Sequence, residues 1–249
     1  MNIAAIILGI LPSFAWLVFY LREDMHPEPK RLIFLTFLWG GVFAFFALYA
    51  QLFISCFYHD ASSSGIGGLR FNCDYRTTNN NDLFGEVFPN AVLFILIFAL
   101  IEELVKFAAA YLTVHKNPAF DEPVDAMIYA VTAALGFAAI ENLGLVGFGV
   151  LSGTGAFPEA IYHISLRFVG ATLLHAITSG VMGYYWARSI RQFGATRPII
   201  WGLTFATILH ALFNYLIIYL APTASIVILL FIAGLVVLHD FEELRKETV

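Results

Sequence analysis

The residues in this chain with the strongest chemical potential are carboxylates and imidazoles placed inside apolar runs. The clearest run is Ile101-Glu102-Glu103-Leu104-Val105-Lys106. Glu102 lies about 13 residues from Pro89 and about 14 from Lys116, near the middle of a segment long enough to cross a bilayer. One charge at the centre of a membrane helix costs about 2.5–3.5 kcal/mol, and three would cost on the order of 8–10 kcal/mol if unpaired. Lys106 is three residues from Glu103 and four from Glu102, so one helix face brings either carboxylate to the ammonium. A structural ion pair needs one acid, and here there are two.

Further along come Glu141, within Gly136-Phe137-Ala138-Ala139-Ile140-Glu141-Asn142, then His175, then His210 with Asn214 one turn on. Each lies well inside its own apolar run. Glu102, Glu103, Glu141, His175 and His210 therefore come from four segments and reach one depth, as a site between helices requires. Two close carboxylates do not ionise equally, which suits a division into base and acid. One activates water and the other holds a proton for a leaving amine. His210 and Asn214 share a helix face and are placed to donate to an oxyanion. Two histidines and two glutamates are also zinc ligand types. No HExxH pair is present, however, and Lys106 would repel an ion, so neither a metal nor another cofactor is expected. Arg167 reads as a residue that snorkels to the outer interface. His59, His115, His163 and His239 fall at segment ends or boundaries and are set aside.

The elements that must position these groups are membrane helices. The 249 residues are 60% hydrophobic and 12% charged, with a mean hydropathy of +0.80. Soluble domains carry about 25% charged residues, so the apolar excess faces lipid. A net charge of -5 with no basic stripe excludes a nucleic-acid surface. Hydropathy and breakers predict an all-α, polytopic membrane bundle of about seven spans, near 3–21, 32–58, 89–114, 124–150, 160–187, 198–220 and 223–239. The first lacks a basic n-region and a small-residue cleavage site and reads as a retained helix. The chain forms one membrane domain, 1–249, and residues 59–88 form an extracytoplasmic loop, with room for an eighth, re-entrant segment. A small-residue stripe (Ala130, Ala133, Ala134, Gly136) predicts close helix approach in the fourth span.

Nine basic residues (Arg22, Lys30, Arg31, Lys116, Arg188, Arg191, Arg197, Arg245, Lys246) fall on one side, against Arg70 and Arg76 on the other. Positive-inside bias places the N-terminus outside and the C-terminus in the cytoplasm of a multi-pass cell-membrane protein. Cys56 and Cys73 share the outer side, where an oxidising compartment permits pairing.

In order, EExxK (Glu102, Glu103, Lys106), FxxxE (Phe137, Glu141) with Asn142, a mid-span histidine (His175) and HxxxN (His210, Asn214) resemble the PrsW family of glutamate-type intramembrane proteases. That family belongs to the wider superfamily of CAAX prenyl endopeptidases and bacteriocin-processing enzymes. The likeness covers roughly residues 95 to 220. The stretch Asp121-Glu122-Pro123-Val124-Asp125 is also similar, although Ala126 stands where glycine is expected. The resemblance implies a metal-independent endopeptidase acting on membrane-embedded or membrane-proximal peptide bonds, with a single-pass membrane protein as substrate. It implies Glu102 as the base, Glu103 as its positioning or relay group, His175 and His210 as groups that orient water or polarise the carbonyl, and Asn214 at the oxyanion. Glu141 occupies a position where the prenyl endopeptidases carry histidine. Two rival readings stand beside it: a non-catalytic scaffold of the same fold, and a proton-coupled transporter using Glu and His as relays. The inverted repeats and broken helices of transporters are not visible.

Overall fold

A computed structural model describes residues 3–24, 26–63, 91–145, 157–220 and 223–246. The described residues are helical and contain no strand. The elements are α1 (Ile3–Tyr20), α2 (Lys30–Ser63), α3 (Ala91–Val114), α4 (Asp125–Gly144), α5 (Phe157–Val169), α6 (Ala171–Arg191), α7 (Thr196–Tyr215) and α8 (Thr223–Lys246). A wider π-type turn, Leu216–Leu220, continues α7. In a bilayer every backbone polar group must be satisfied within the chain, and helices do this segment by segment.

Each predicted span has its helix, and α5 with α6 makes the fifth. That span is broken at Gly170, whose backbone (φ -99°, ψ -100°) leaves the helical region. Five stretches are long and apolar enough to cross a membrane: Lys30–Ser55, Asp125–Gly144, Ile161–Arg191, Thr196–Leu220 and Ala224–Lys246. The other two are the 18-residue α1 and the 24-residue α3, in which the charged triplet interrupts the apolar run. α2 continues to Ser63, past the predicted end of its span, so residues 59–63 are helix rather than loop. The rest of the expected 59–88 loop, its re-entrant segment and the Cys56–Cys73 pairing lie outside the described residues or side chains.

α4 is the central helix and packs against α1, α2, α3 and α6. Its alanines are why: Ala126, Ala130, Ala133, Ala134, Ala138 and Ala139 are all buried. With so little side chain on α4, neighbouring backbones come close. A Cβ on Gly40 of α2 would fall 1.9 Å from the Ala133 carbonyl oxygen, and one on Gly136 of α4 would fall 1.9 Å from that of Phe37. The two helices thus cross backbone to backbone. On the other side of α4, a Cβ on Gly183 of α6 would sit 2.6 Å from Met127 Cα. The outer helices turn large side chains such as Phe45, Phe46, Ile228 and Phe231 outward, where lipid meets them.

At one end of the bundle the short connections gather. His26 Nδ1 lies 2.7 Å from Glu122 Oε1, and Arg245 reaches Glu23 at 4.0 Å. Asp125 Oδ2 accepts the backbone N–H groups of Asp121 and Glu122, at 3.0 and 2.8 Å. The acidic stretch before the fourth span therefore folds its own turn. Tyr129 donates to Glu28 Oε2 and ties the α1–α2 connection to α4. Burial pushes the Glu28 carboxyl up to about 8, and the neighbouring Asp125 carboxyl adds to the rise. These contacts bring the α1–α2 and α3–α4 connections and the end of α8 to the same side, the alternation that the basic residues predict.

Candidate active site

α3 delivers Glu102, Glu103 and Lys106 to the bundle interior. Lys106 is fully buried and Glu103 is 1% exposed. The ammonium selects Glu103, three residues back, at 2.6 Å from Oε1. Its other two N–H bonds reach His175 Nδ1 on α6 at 3.1 Å and Thr178 Oγ1 at 3.3 Å. An ammonium has three donors and no acceptor, so Lys106 is saturated. Lys106 donating to Nδ1 and the Glu141 carboxylate accepting at Nε2 together favour a proton on Nε2 of His175, and this N–H donates to Glu141 Oε2 of α4 at 2.8 Å.

Glu103 Oε1 also accepts the Nδ1–H of His210 from α7 at 2.6 Å. That bond orients the imidazole and leaves Nε2 facing Glu102 Oε2, 3.5 Å away. Glu102 is held from its other oxygen: Gln51 of α2 donates to Oε1 at 2.8 Å. Glu102 Oε2 and Glu103 Oε2 are buried with no hydrogen-bond partner among the described residues. The His175 and His210 rings meet edge to face at 5.2 Å, and Phe137 packs 5.5 Å from His175.

All five expected site residues thus join one continuous network drawn from α3, α4, α6 and α7. Lys106 belongs to it as expected. Asn214 is half-buried and makes no hydrogen bond to the cluster among the described residues. Arg167 is a correction. It does not reach away to the outer interface but folds inward, with Nη2 3.0 Å from Glu141 Oε2 and Nε donating to Asn142 Oδ1. The Asn142 amide continues to Thr172 Oγ1 at 3.1 Å. Arg167 stands in the last turn of α5, three residues before Gly170. Sequence reasoning also passed over Gln51. Its signal was an amide within a 26-residue apolar stretch, where a polar group needs a partner.

Comparison with known proteins assigns the chain to a family. The model of the PrsW family intramembrane metalloproteases matches residues 28–239. The chain belongs to the PrsW family. Relatives that carry the name Protease PrsW include three from different bacteria. That of Geobacillus kaustophilus is 27% identical over 212 residues, covering 84% of this chain and 77% of its own. The Bacillus subtilis protein is 25% identical over 213 residues, covering 85% and 79%. That of Oceanobacillus iheyensis is 27% identical over 214 residues, covering 84% and 80%. No solved structure matches the chain. Within the PrsW family the chain is an intramembrane protease, and the buried network is where its polar chemistry is concentrated.

The family description invokes a metal. One donor atom each from Glu102, His175 and His210 lies within 4.8 Å of the others. Glu102 Oε2 and His210 Nε2 have lone pairs available. His175 has none, because Nδ1 accepts from Lys106 and Nε2 carries the proton given to Glu141. Catalytic zinc sites take three protein ligands. This set is one short, with an ammonium against the third member, and it does not fit the ion.

Proposed function

We propose that this protein hydrolyses peptide bonds of membrane-embedded or membrane-proximal substrates with water activated by Glu102, without a metal. The observation that carries the reading is the unpaired Glu102 Oε2, buried and 3.5 Å from His210 Nε2. Two acceptors at that separation are close enough to be bridged by one water donating a hydrogen to each, and this is the water the reading requires. The water's lone pair is then left for the carbonyl carbon. Glu102 takes the proton during attack and returns it to the leaving amine. Glu103, fixed by Lys106, keeps His210 in the tautomer that accepts from water, as a buried carboxylate does for a catalytic histidine. The ammonium of Lys106 and the N–H of His175 supply positive potential for the developing oxyanion in a low-dielectric setting. A scaffold that kept these groups for packing would have no use for an unpaired carboxylate oxygen beside an open imidazole nitrogen.

A single-pass membrane protein is the substrate class that a site enclosed by four helices at mid-depth fits best. The nine-to-two distribution of basic residues supports a cell-membrane protein with its N-terminus outside and its C-terminus in the cytoplasm.

The test is cleavage of a reconstituted single-pass substrate by the wild type, Glu102→Gln and His210→Ala, with and without a strong chelator. Glu102→Gln keeps shape and loses the base, so a rate reduced on the order of a hundredfold or more is expected. The chelator should leave the wild-type rate unchanged. Equal rates for wild type and Glu102→Gln would remove Glu102 as base. Activity lost to chelator and restored by zinc would put an ion on these side chains and overturn the metal-free reading.

A further inference from the structure

The geometry points to Arg167 as a positioning residue for the reaction: through Glu141 it holds His175 in the one tautomer that the network can use. This goes beyond the proposed mechanism, which does not use Arg167, and its kinetic arm rests on that mechanism.

Glu141 Oε2 is a shared acceptor. It takes the Nε2–H of His175 at 2.8 Å and the Arg167 guanidinium at 3.0 Å. The side chains of Glu141 and Arg167 are 30% and 24% exposed, whereas that of His175 is 3% exposed. Glu141 therefore stands at the open edge of the network and His175 at its sealed interior. A glutamate at such an edge, with three rotatable bonds and part of its side chain uncovered, is free to leave this position unless something opposes it. Arg167 opposes it with two contacts of fixed relative geometry: Nη2 on Glu141, and Nε on Asn142 Oδ1. Asn142 is itself fully buried and anchored on Thr172, so the fork has a firm base. A planar guanidinium bonded at both ends defines direction as well as charge.

The consequence runs inward. With Glu141 in place, the His175 proton stays on Nε2 and the Nδ1 lone pair is available for Lys106. If Glu141 leaves, His175 loses one of the two contacts that set its tautomer and ring position, and any proton that moves to Nδ1 faces the Lys106 ammonium at 3.1 Å. Lys106 would then lose one of its three acceptors, and the Glu103–His210 pair would loosen with it. The other charged groups near Glu141 are Glu102, Glu103 and Lys106 on α3, His175 on α6 and His210 on α7. α1 carries no charged residue, and the two that open α2, Lys30 and Arg31, lie about ten residues from Gly41, the α2 position that packs on Ile140; among the described residues Arg167 is the arginine paired with Glu141.

The test combines kinetics with a readout independent of activity. Arg167→Ala should lower kcat on the order of a hundredfold, with KM little changed. Part of that loss should return on adding millimolar guanidinium chloride, and none with sodium chloride at equal ionic strength. Arg167→Lys, whose single ammonium cannot hold Glu141 and Asn142 together, should fall between. It also carries the test if the alanine variant does not fold. In protein labelled with ¹⁵N-histidine, His175 should show the Nε2–H tautomer in the wild type and a mixture in Arg167→Ala. A kcat that falls only in proportion to folded protein, with no guanidinium rescue and an unchanged His175 spectrum, would overturn the assignment. If the wild type cleaves no substrate, the proteolytic reading fails, and the histidine spectrum still decides the role of Arg167.

Discussion

Replacing Lys106 with methionine keeps most of the side-chain volume and removes a fully buried ammonium. Three hydrogen bonds go with it, to Glu103 Oε1, His175 Nδ1 and Thr178 Oγ1. Glu103 is the group left exposed to the consequence, since its Oε2 has no partner among the described residues and its Oε1 would keep only His210. Removing one member of a buried ion pair costs about 3–5 kcal/mol because the other charge stays buried. The upper half of that range applies here, because solvent does not reach either side chain. Glu103→Gln removes the stranded charge, so Lys106→Met with Glu103→Gln should be less unstable than the two single changes added together. A coupling of about 2 kcal/mol or more is expected, at the upper end of the range measured for contacting residues. The assay is a double-mutant cycle on reversible unfolding in mixed detergent micelles, read by far-UV circular dichroism. A Lys106→Met variant as stable as wild type, or a coupling near zero, would refute the claim that this pair holds the network together.

Three further outcomes follow from the same geometry. Gly136→Val should destabilise the bundle by about 1–3 kcal/mol or more, because its Cβ would meet the Phe37 carbonyl rather than a flexible side chain, and unfolding in detergent would measure it. Gln51→Leu should lower kcat at least about tenfold while leaving the unfolding midpoint close to wild type, since one donor to Glu102 is lost at a half-buried position; an unchanged rate would show that Glu102 does not need Gln51. Glu28, raised from 4.5 to about 8, holds a proton in the folded state that the unfolded chain has already released. Its contribution is therefore complete below about pH 4.5, declines as pH rises towards 8, and is lost above it; Glu28→Gln should flatten that decline in a pH series of unfolding midpoints.

How much of this was legible in the sequence depended on whether a feature was local. Apolar run length gave the helices, because hydrogen bonding in lipid leaves a segment few alternatives. The interior charges announced the site because their cost is a property of each residue taken singly. Which partner each charge chose was not legible. Spacing allowed Lys106 either glutamate, and only the approach of His210 from α7 gives Glu103 two partners and leaves Glu102 open. Arg167 misled for a related reason: near a span end, snorkelling and inward pairing cost about the same until Glu141 and Asn142 of α4 offer it two acceptors. Asn214 shares a helix face with His210, yet a shared face does not set the reach of either side chain. Gln51, being neutral, raised little alarm inside an apolar run.

The α2–α4 crossing at Gly40 and Gly136 also sets a mechanical tolerance. Gln51 lies 11 residues beyond Gly40 on α2, about 16 Å along the axis. With the two backbones in contact at the crossing, that point is a fulcrum, and α2 is a lever with the Glu102 amide clamp on its arm. A tilt of about 5° would carry Gln51 about 1.4 Å, enough to break a 2.8 Å hydrogen bond and comparable to displacements that cost two decades in rate. Bundle motion that admits a substrate must therefore spare this pair of helices, and the motion falls to elements whose contacts are made by side chains that can slide.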